Sequence, residues 1–390
     1  MTKMLSAHPK ALVISDPYVY FFKGYRNFHY ARAGIVGFDP TGPMSDHFMD
    51  SHHDVLRRII DSDLSETIPQ NTKKQIREAI REWKLQQHSD LCRRLDEADG
   101  KTFAEFYDSL IWLLKDIYGS AETEQVGTKV SWSEEYLLPL ARAFPDMKFI
   151  FVVRDLRAIV SSQNNKKGPG AGKRPLLFYI RNWRKSVAFG TILTRILDDV
   201  RDRILFLRYE DMIADPESVA RKCSAHLGLH FDPAMNDQNR YRNEASGAAW
   251  SANTSYQGEA GIVRPSIDAW KERLSEAETR CIEALAGPEL TLMGYDLTCP
   301  DENSIEPFLL DGTPEPEFEE LADFIKASDC ARYVTDQNLM KLELEKEIRR
   351  RAILRGNSGT IDEAEAKQMF IEPAYLRVLS EFEPHTDRYR

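Results

Sequence analysis

The sequence predicts an α/β fold, with a central parallel sheet flanked by helices and a C-terminal helical extension. Three observations point to it. Short apolar runs of strand length alternate with stretches of helical periodicity, the pattern of a largely parallel sheet covered on both faces. One run, Phe149 to Val153, leads straight into Arg154-Asp155 and then into a short apolar stretch ending at Ser161-Ser162. The chain has 390 residues, enough for a large core and about two or three domains at most.

Ala11 to Ile14, after His8-Pro9, reads as a first strand. Residues 51–120 read as helices. Val55, Ile59 and Ile60 share one face, and Phe103, Phe106, Leu110, Leu113 and Leu114 another, at helical spacing. Val126 to Trp132 reads as a strand, and Ser133-Glu134-Glu135 starts a helix with acidic residues in its first turn. After the Phe149 strand, Leu176 to Val200 reads as one long amphipathic helix carrying Trp183. Ile204 to Leu207 is a further strand, followed by Arg208-Tyr209-Glu210-Asp211. Asp215-Pro216 opens a helix that ends near Gly228.

Near Cys299 the chain turns acidic and proline-bearing, and this persists to Asp336. Leu339 to Leu354 then reads as a highly charged helix, with Leu342, Leu344, Ile348 and Leu354 among glutamates and arginines. The expected division is 1–298 for the α/β domain and 299–390 for an acidic, helical arm that could serve as a homo-oligomer contact. Its heptads are too few for a coiled coil.

A net charge of −10 gives no reason to expect a nucleic acid partner. No apolar run reaches the roughly 18 residues of a membrane span. No secretory leader is visible. Cys92, Cys223, Cys281, Cys299 and Cys330 are scattered and lack CxxC spacing, which reads as reduced thiols in a cytoplasmic protein. No His/Cys/Asp cluster has metal-ligand spacing, so no metal is expected.

A buried strand running into an arginine and a helix start places a cation at the carboxyl edge of a sheet, where ligands dock. Arg154 offers a planar fork for phosphate, and Ser162 lies about two helical turns on. The competing reading is an ordinary ion-paired arginine behind a buried strand.

Three segments in order resemble the sulfotransferases that use 3′-phosphoadenosine 5′-phosphosulfate (PAPS), over roughly Met1 to Tyr295. FPDMKFIFVVRDLRAIVSS resembles their 3′-phosphate-binding segment. ILFLRYEDMIADPESVARKCSAHLGL resembles their later strand–helix unit. GIVRPSIDAWKERLSEAE, with LMGY after it, resembles their C-terminal loop, tryptophan helix and closing "GY". The resemblance implies the P-loop-like sulfotransferase fold and transfer of a sulfonate group from PAPS to a hydroxyl or amine of a carbohydrate or small-molecule acceptor. A non-catalytic relative that binds nucleotide or a partner is the alternative.

The same resemblance implies site residues. Arg154 and Ser162 would hold the 3′-phosphate, Tyr209 would contact the adenine, and Arg264 would close over the phosphate. Lys129, in VGTKVSW, would face the transferring sulfonate. Some members place a histidine base two residues after that lysine; here Ser131 stands there. The acidic-Pro-aromatic pattern of carbohydrate-type members is filled by Asp16-Pro17-Tyr18, which makes Asp16 the candidate base. Each has a plain alternative: a solvated Lys129, a core Tyr209, a surface Arg264, an Asp-Pro turn at Asp16.

Family members begin with a strand and a "PRSGTT"-like loop that cups the 5′-phosphosulfate with backbone N–H groups. Met1 to Pro9 resembles the second half of the helix that follows that loop, so the first strand and loop are expected to be absent. Either the natural start lies upstream, or this is a variant binding the 3′-phosphoadenosine half alone; an unpaired edge inside the sheet is the expected consequence. Lys166 to Arg174 does not replace the loop. Its first glycine position is Lys167 and its Ser/Thr position is Arg174, so it fails the Walker A pattern. It reads as a mobile basic loop near the acceptor cleft, suited to an anionic or sugar substrate, with a solvated surface loop as the alternative.

Overall fold

The computed structural model describes residues 1–36, 40, 53–85, 87–162, 176–243, 246–250, 267–298, 346–347, 349–356 and 361–382. The first half runs α1 (Thr2–Ser6), β1 (Ala11–Ser15), α2 (Val19–Arg32), α3 (His53–Asp61), α4 (Gln70–Lys84), α5 (Ser89–Arg94), α6 (Phe103–Tyr118), β2 (Gln125–Lys129), α7 (Leu137–Ala143), β3 (Phe149–Val153) and α8 (Leu156–Val160). The second half runs α9 (Leu176–Thr191), α10 (Asp198–Arg201), β4 (Ile204–Arg208), α11 (Tyr209–Ala214), α12 (Pro216–Leu227), α13 (Trp270–Arg273), α14 (Glu276–Leu292), α15 (Glu363–Phe370) and α16 (Pro373–Ser380). Residues 346–347 and 349–354 are also helical.

The fold is α/β with parallel strands, but the strands form two pairs rather than one continuous sheet. β1 pairs with β2 from Ala11↔Gln125 to Ser15↔Lys129, and β3 with β4 from Phe149↔Ile204 to Val153↔Arg208. Hydrogen bonds show that the two pairs run the same way. At their starts, Gln125 Nε2 donates to Leu227 O at 3.2 Å, while Lys148 Nζ donates to His226 O at 2.6 Å. At their ends, Lys185 reaches Glu135 beyond β2 at 2.7 Å, and Trp183 Nε1 donates to Arg154 O beyond β3 at 2.7 Å. Both pairs also share their helix layers. Val13, Ile150, Leu205 and Leu207 pack with Met4 and Leu5 of α1 and with Val219 and Cys223 of α12. Leu12, Ile14, Val126, Phe149, Phe151 and Val153 face the larger core, with α2, α6 and α9.

That core is aromatic where α2 meets α6: Phe21 and Phe22 lie 4.9 and 5.7 Å from Tyr107, ring to ring. α6 starts at a full capping box between Thr102 and Glu105, which satisfies two of the helix's orphan N–H groups. Phe103, Phe106, Leu110, Leu113 and Leu114 are all buried, as their spacing predicts.

Three local expectations change. β2 stops at Lys129 because the chain turns, with Trp132 at φ +58. Glu135, expected in the first turn of a helix, lies in a short 3-10 turn and is fully buried against Lys185. The single helix expected from Leu176 to Val200 ends its α-helical part at Thr191, continues as a π-type turn to Ile196 and breaks at Leu197. It is not amphipathic, since Arg181, Arg184 and Lys185 are buried with its apolar residues.

The partners of those arginines come from the C-terminal arm. Glu347 Oε1 accepts from Arg181 Nε at 2.8 Å and from Arg184 Nη2 at 2.9 Å, and its Oε2 from Arg184 Nη1 at 2.6 Å. Arg350 pairs with Glu289 of α14. Ile353, Leu354, Phe370, Tyr375 and Leu379 belong to the same apolar cluster as β3 and α9. The described part of residues 299–390 therefore packs on its own chain's core. Leu342, Leu344 and Ile348 lie outside the described residues.

Candidate functional site

The parallel register brings the two expected catalytic residues together. Ser15 lies opposite Lys129, so the chain leaving β1 passes Lys129 at once. Asp16 N donates to Lys129 O at 2.6 Å, and Asp16 Oδ2 accepts from Lys129 Nζ at 3.0 Å. Asp16 Oδ1 accepts from Ser131 N at 3.2 Å, and Lys129 Nζ also reaches Ser131 Oγ at 2.7 Å. Asp16 sits at φ +50, a left-handed conformation that Asp tolerates better than most residues. Lys129 is half-exposed and Asp16 partly so, which leaves an ion pair open to an incoming group.

The other strand pair carries the expected nucleotide residues. Arg154 follows β3 and Tyr209 follows β4, with the Arg154 guanidinium 4.5 Å from the Tyr209 ring centre. That face of Tyr209 is covered by the guanidinium in this arrangement, so it is not where an adenine would stack. Ser162 comes just after α8, whose five residues make a shorter connection than the two turns expected; its N–H donates to Ile159 O at 3.2 Å. Arg264 and Lys166 to Arg174 lie outside the described residues.

Behind Arg154 stands a buried ionic network. Arg157 is bound by Asp155 at 2.8 Å and by Glu283 at 2.6 Å, and Trp270 covers its guanidinium at 4.1 Å. This explains the tryptophan of the C-terminal segment as packing on the arginine next to the site. Burial opposes the Arg157 charge, but Asp155 and Glu283 outweigh it and raise its pKa.

Three contributors were not picked out in the sequence. Ser131 bridges Lys129 and Asp16. Trp183 holds the Arg154 carbonyl. Glu210 accepts from Asp155 N at 3.1 Å and from Tyr295 OH at 2.9 Å. The only signal for Glu210 was its place beside Tyr209. Among the described residues, no group of three or more His, Cys, Asp and Glu is placed to hold a metal.

A sequence profile of the sulfotransferase family matches residues 1–233, more than half of the chain. The chain belongs to the sulfotransferase family. It is 32% identical to mouse (Mus musculus) carbohydrate sulfotransferase 7 over 96 residues, which are 25% of this chain and 19% of that protein. It is 28% identical to zebrafish (Danio rerio) protein-tyrosine sulfotransferase 1 over 232 residues, 56% of this chain and 63% of that one. The chain thus spans less than two thirds of these curated relatives. Among solved structures it is similar to the sulfotransferase domain of the Synechococcus PCC 7002 olefin synthase, at 17% identity and a TM-score of 0.40, covering 74% of this chain and 94% of that domain.

Proposed function

We propose that this member of the family transfers a sulfonate group from PAPS to a hydroxyl or amine of a carbohydrate or other small-molecule acceptor. The observation that supports it is the Asp16–Lys129 contact at the ends of β1 and β2. In this reading the acceptor oxygen or nitrogen attacks sulfur, and the bond from sulfur to the bridging phosphosulfate oxygen breaks. The acceptor's proton passes to the Asp16 carboxylate. Lys129, within reach of Asp16 and Ser131, turns to the transferring group and stabilises the charge that builds on its oxygens. Arg154 supplies the fork for the 3′-phosphate, with Ser162 and Arg264 as further donors and Tyr209 beside the adenine.

The donor set suits an anionic nucleotide: Lys129 and Arg154 stand at the same edge of two strand pairs that run in one direction. The reaction needs no metal in this account. No helix among the described residues is long and apolar enough to cross a membrane. Cys92, Cys223 and Cys281 are buried free thiols, which suits the cytoplasmic location we assign.

The test is transfer from labelled PAPS to a panel of sugars, phenols, amines and tyrosine peptides. Sulfonation of a sugar or small molecule, lost in Asp16→Asn, is the expected result. A folded protein that binds adenosine 3′,5′-bisphosphate and sulfonates nothing would instead be a nucleotide-binding relative.

A further inference from the structure

We propose that Glu210, held in place by Tyr295, is a positioning residue for Arg154. The proposal rests on the donor-site reading above. Arg154-Asp155 is the turn where β3 ends and α8 begins. Glu210 lies one residue beyond Tyr209, at the turn where β4 ends and α11 begins. Its Oε1 accepts from the Asp155 backbone N–H at 3.1 Å. One carboxylate therefore ties together the two turns whose side chains, Arg154 and Tyr209, lie against each other at 4.5 Å.

The second oxygen of Glu210 is taken by Tyr295 OH at 2.9 Å. That tyrosine is presented by the end of α14. Gly294 N donates to Thr291 O and Tyr295 N to Leu290 O, a Schellman arrangement that needs a left-handed residue, and Gly294 is at φ +75. A Cβ on Gly294 would also meet Arg208 Nη1 at 3.2 Å, where the Arg208 guanidinium lies 4.5 Å over the Tyr295 ring. Burial, then the Glu210 carboxylate, pushes the Tyr295 phenol up in pKa, so it remains a donor at any working pH. The Gly294-Tyr295 pair, otherwise without a task, thus holds the carboxylate that sets the backbone of the Arg154 turn.

The geometry separates this role from general stability, because Arg154 would act on the 3′-phosphate alone. The experiment titrates adenosine 3′,5′-bisphosphate and adenosine 5′-monophosphate into wild type, Tyr295→Phe, Glu210→Gln and Arg154→Ala, with the double variant Tyr295→Phe/Arg154→Ala. Tyr295→Phe removes one hydroxyl and keeps the ring under Arg208. Glu210→Gln has one acceptor oxygen for two donors. Each is expected to weaken the bisphosphate about 3- to 10-fold, the effect of losing one hydrogen bond, and to leave the monophosphate unchanged. In the Arg154→Ala background the Tyr295→Phe effect is expected to vanish. Equal bisphosphate affinity in wild type and both variants, or equal loss for both nucleotides, overturns the proposal, as does an unchanged Tyr295→Phe effect without Arg154. A wild type that does not prefer the bisphosphate overturns the donor-site reading itself, and the positioning role with it.

Discussion

Replacing Glu347 by glutamine should destabilise the protein by about 3 kcal/mol at pH 7. The carboxylate is fully buried. Burial pushes its pKa up, but Arg184 and Arg181 more than offset this and hold it at about 2, against an ordinary 4.5. At about 1.36 kcal/mol per pH unit, that depression is worth roughly 3 kcal/mol. The value agrees with the ~3–5 kcal/mol for removing one partner of a buried ion pair, since Arg181 and Arg184 would stay buried without their counter-charge. The folded-state pKa is lowered, so the contribution is fully present above pH 4.5 and is lost as pH falls towards 2. Urea unfolding followed by tryptophan fluorescence measures it. With a slope of about 3 kcal/mol/M, the midpoint should fall by about 1 M. A midpoint within about 0.2 M of wild type would mean that the C-terminal arm is not docked through Glu347. The variant Arg181→Met/Arg184→Met/Glu347→Leu should recover most of the loss, because apolar side chains carry no desolvation penalty.

Asp16→Asn should lower the rate of sulfonate transfer by about 10²- to 10⁴-fold without moving the thermal midpoint, since asparagine also tolerates a left-handed backbone; a rate within threefold of wild type, about 0.7 kcal/mol, would remove Asp16 as the base. Lys129→Met should cost about 10²- to 10³-fold in kcat and much less in the acceptor KM; a pure KM effect would argue against charge stabilisation at the sulfonate. Arg154→Ala should weaken adenosine 3′,5′-bisphosphate by about 10- to 100-fold in a direct titration, and unchanged affinity would refute the anchoring role. Gly190→Ala should destabilise by about 1–3 kcal/mol in thermal or urea unfolding. Its Cβ would lie 2.7 Å from Phe206 and 3.3 Å from Phe151, two rings stacked at 5.5 Å between β3, β4 and α9. A wild-type midpoint for Gly190→Ala would show that the rings yield freely.

β1, β3 and β4 were legible because each is a short apolar run, and they fall where those runs are; β2 holds a single apolar residue, Val126, and overlaps the expected Val126–Trp132 only in part. The meeting of Asp16 with Lys129 follows from two strand ends in parallel register, which a motif can suggest but only pairing can deliver. Other features were hidden for definite reasons. The apolar pattern continues from Lys129 through Val130 to Trp132, so nothing in it marks the left-handed turn that ends β2. The burial of Arg181, Arg184 and Lys185, against the amphipathic helix expected there, was hidden because their counter-charges stand far away in sequence. Glu210 carries no periodicity and acts through a backbone amide. The division into two strand pairs is a matter of hydrogen bonding between distant segments, to which local patterns are blind.

Glu347 also sets an order of events during synthesis. Arg181 and Arg184 leave the ribosome 166 and 163 residues before their acidic partner. At about 5–20 residues per second, they wait roughly 10 to 30 seconds for it. Through that interval the nascent chain can form β1 to β4 and their helices, but the guanidiniums of Arg181 and Arg184 on α9 lack the Glu347 carboxylate. Consolidation of this helix with Glu347 thus waits until the arm has been made, and the half-made protein is a natural client for chaperones that shield apolar surface. A message cut short before the codon for Glu347 would yield a chain with all four described strands and without the carboxylate that Arg181 and Arg184 share.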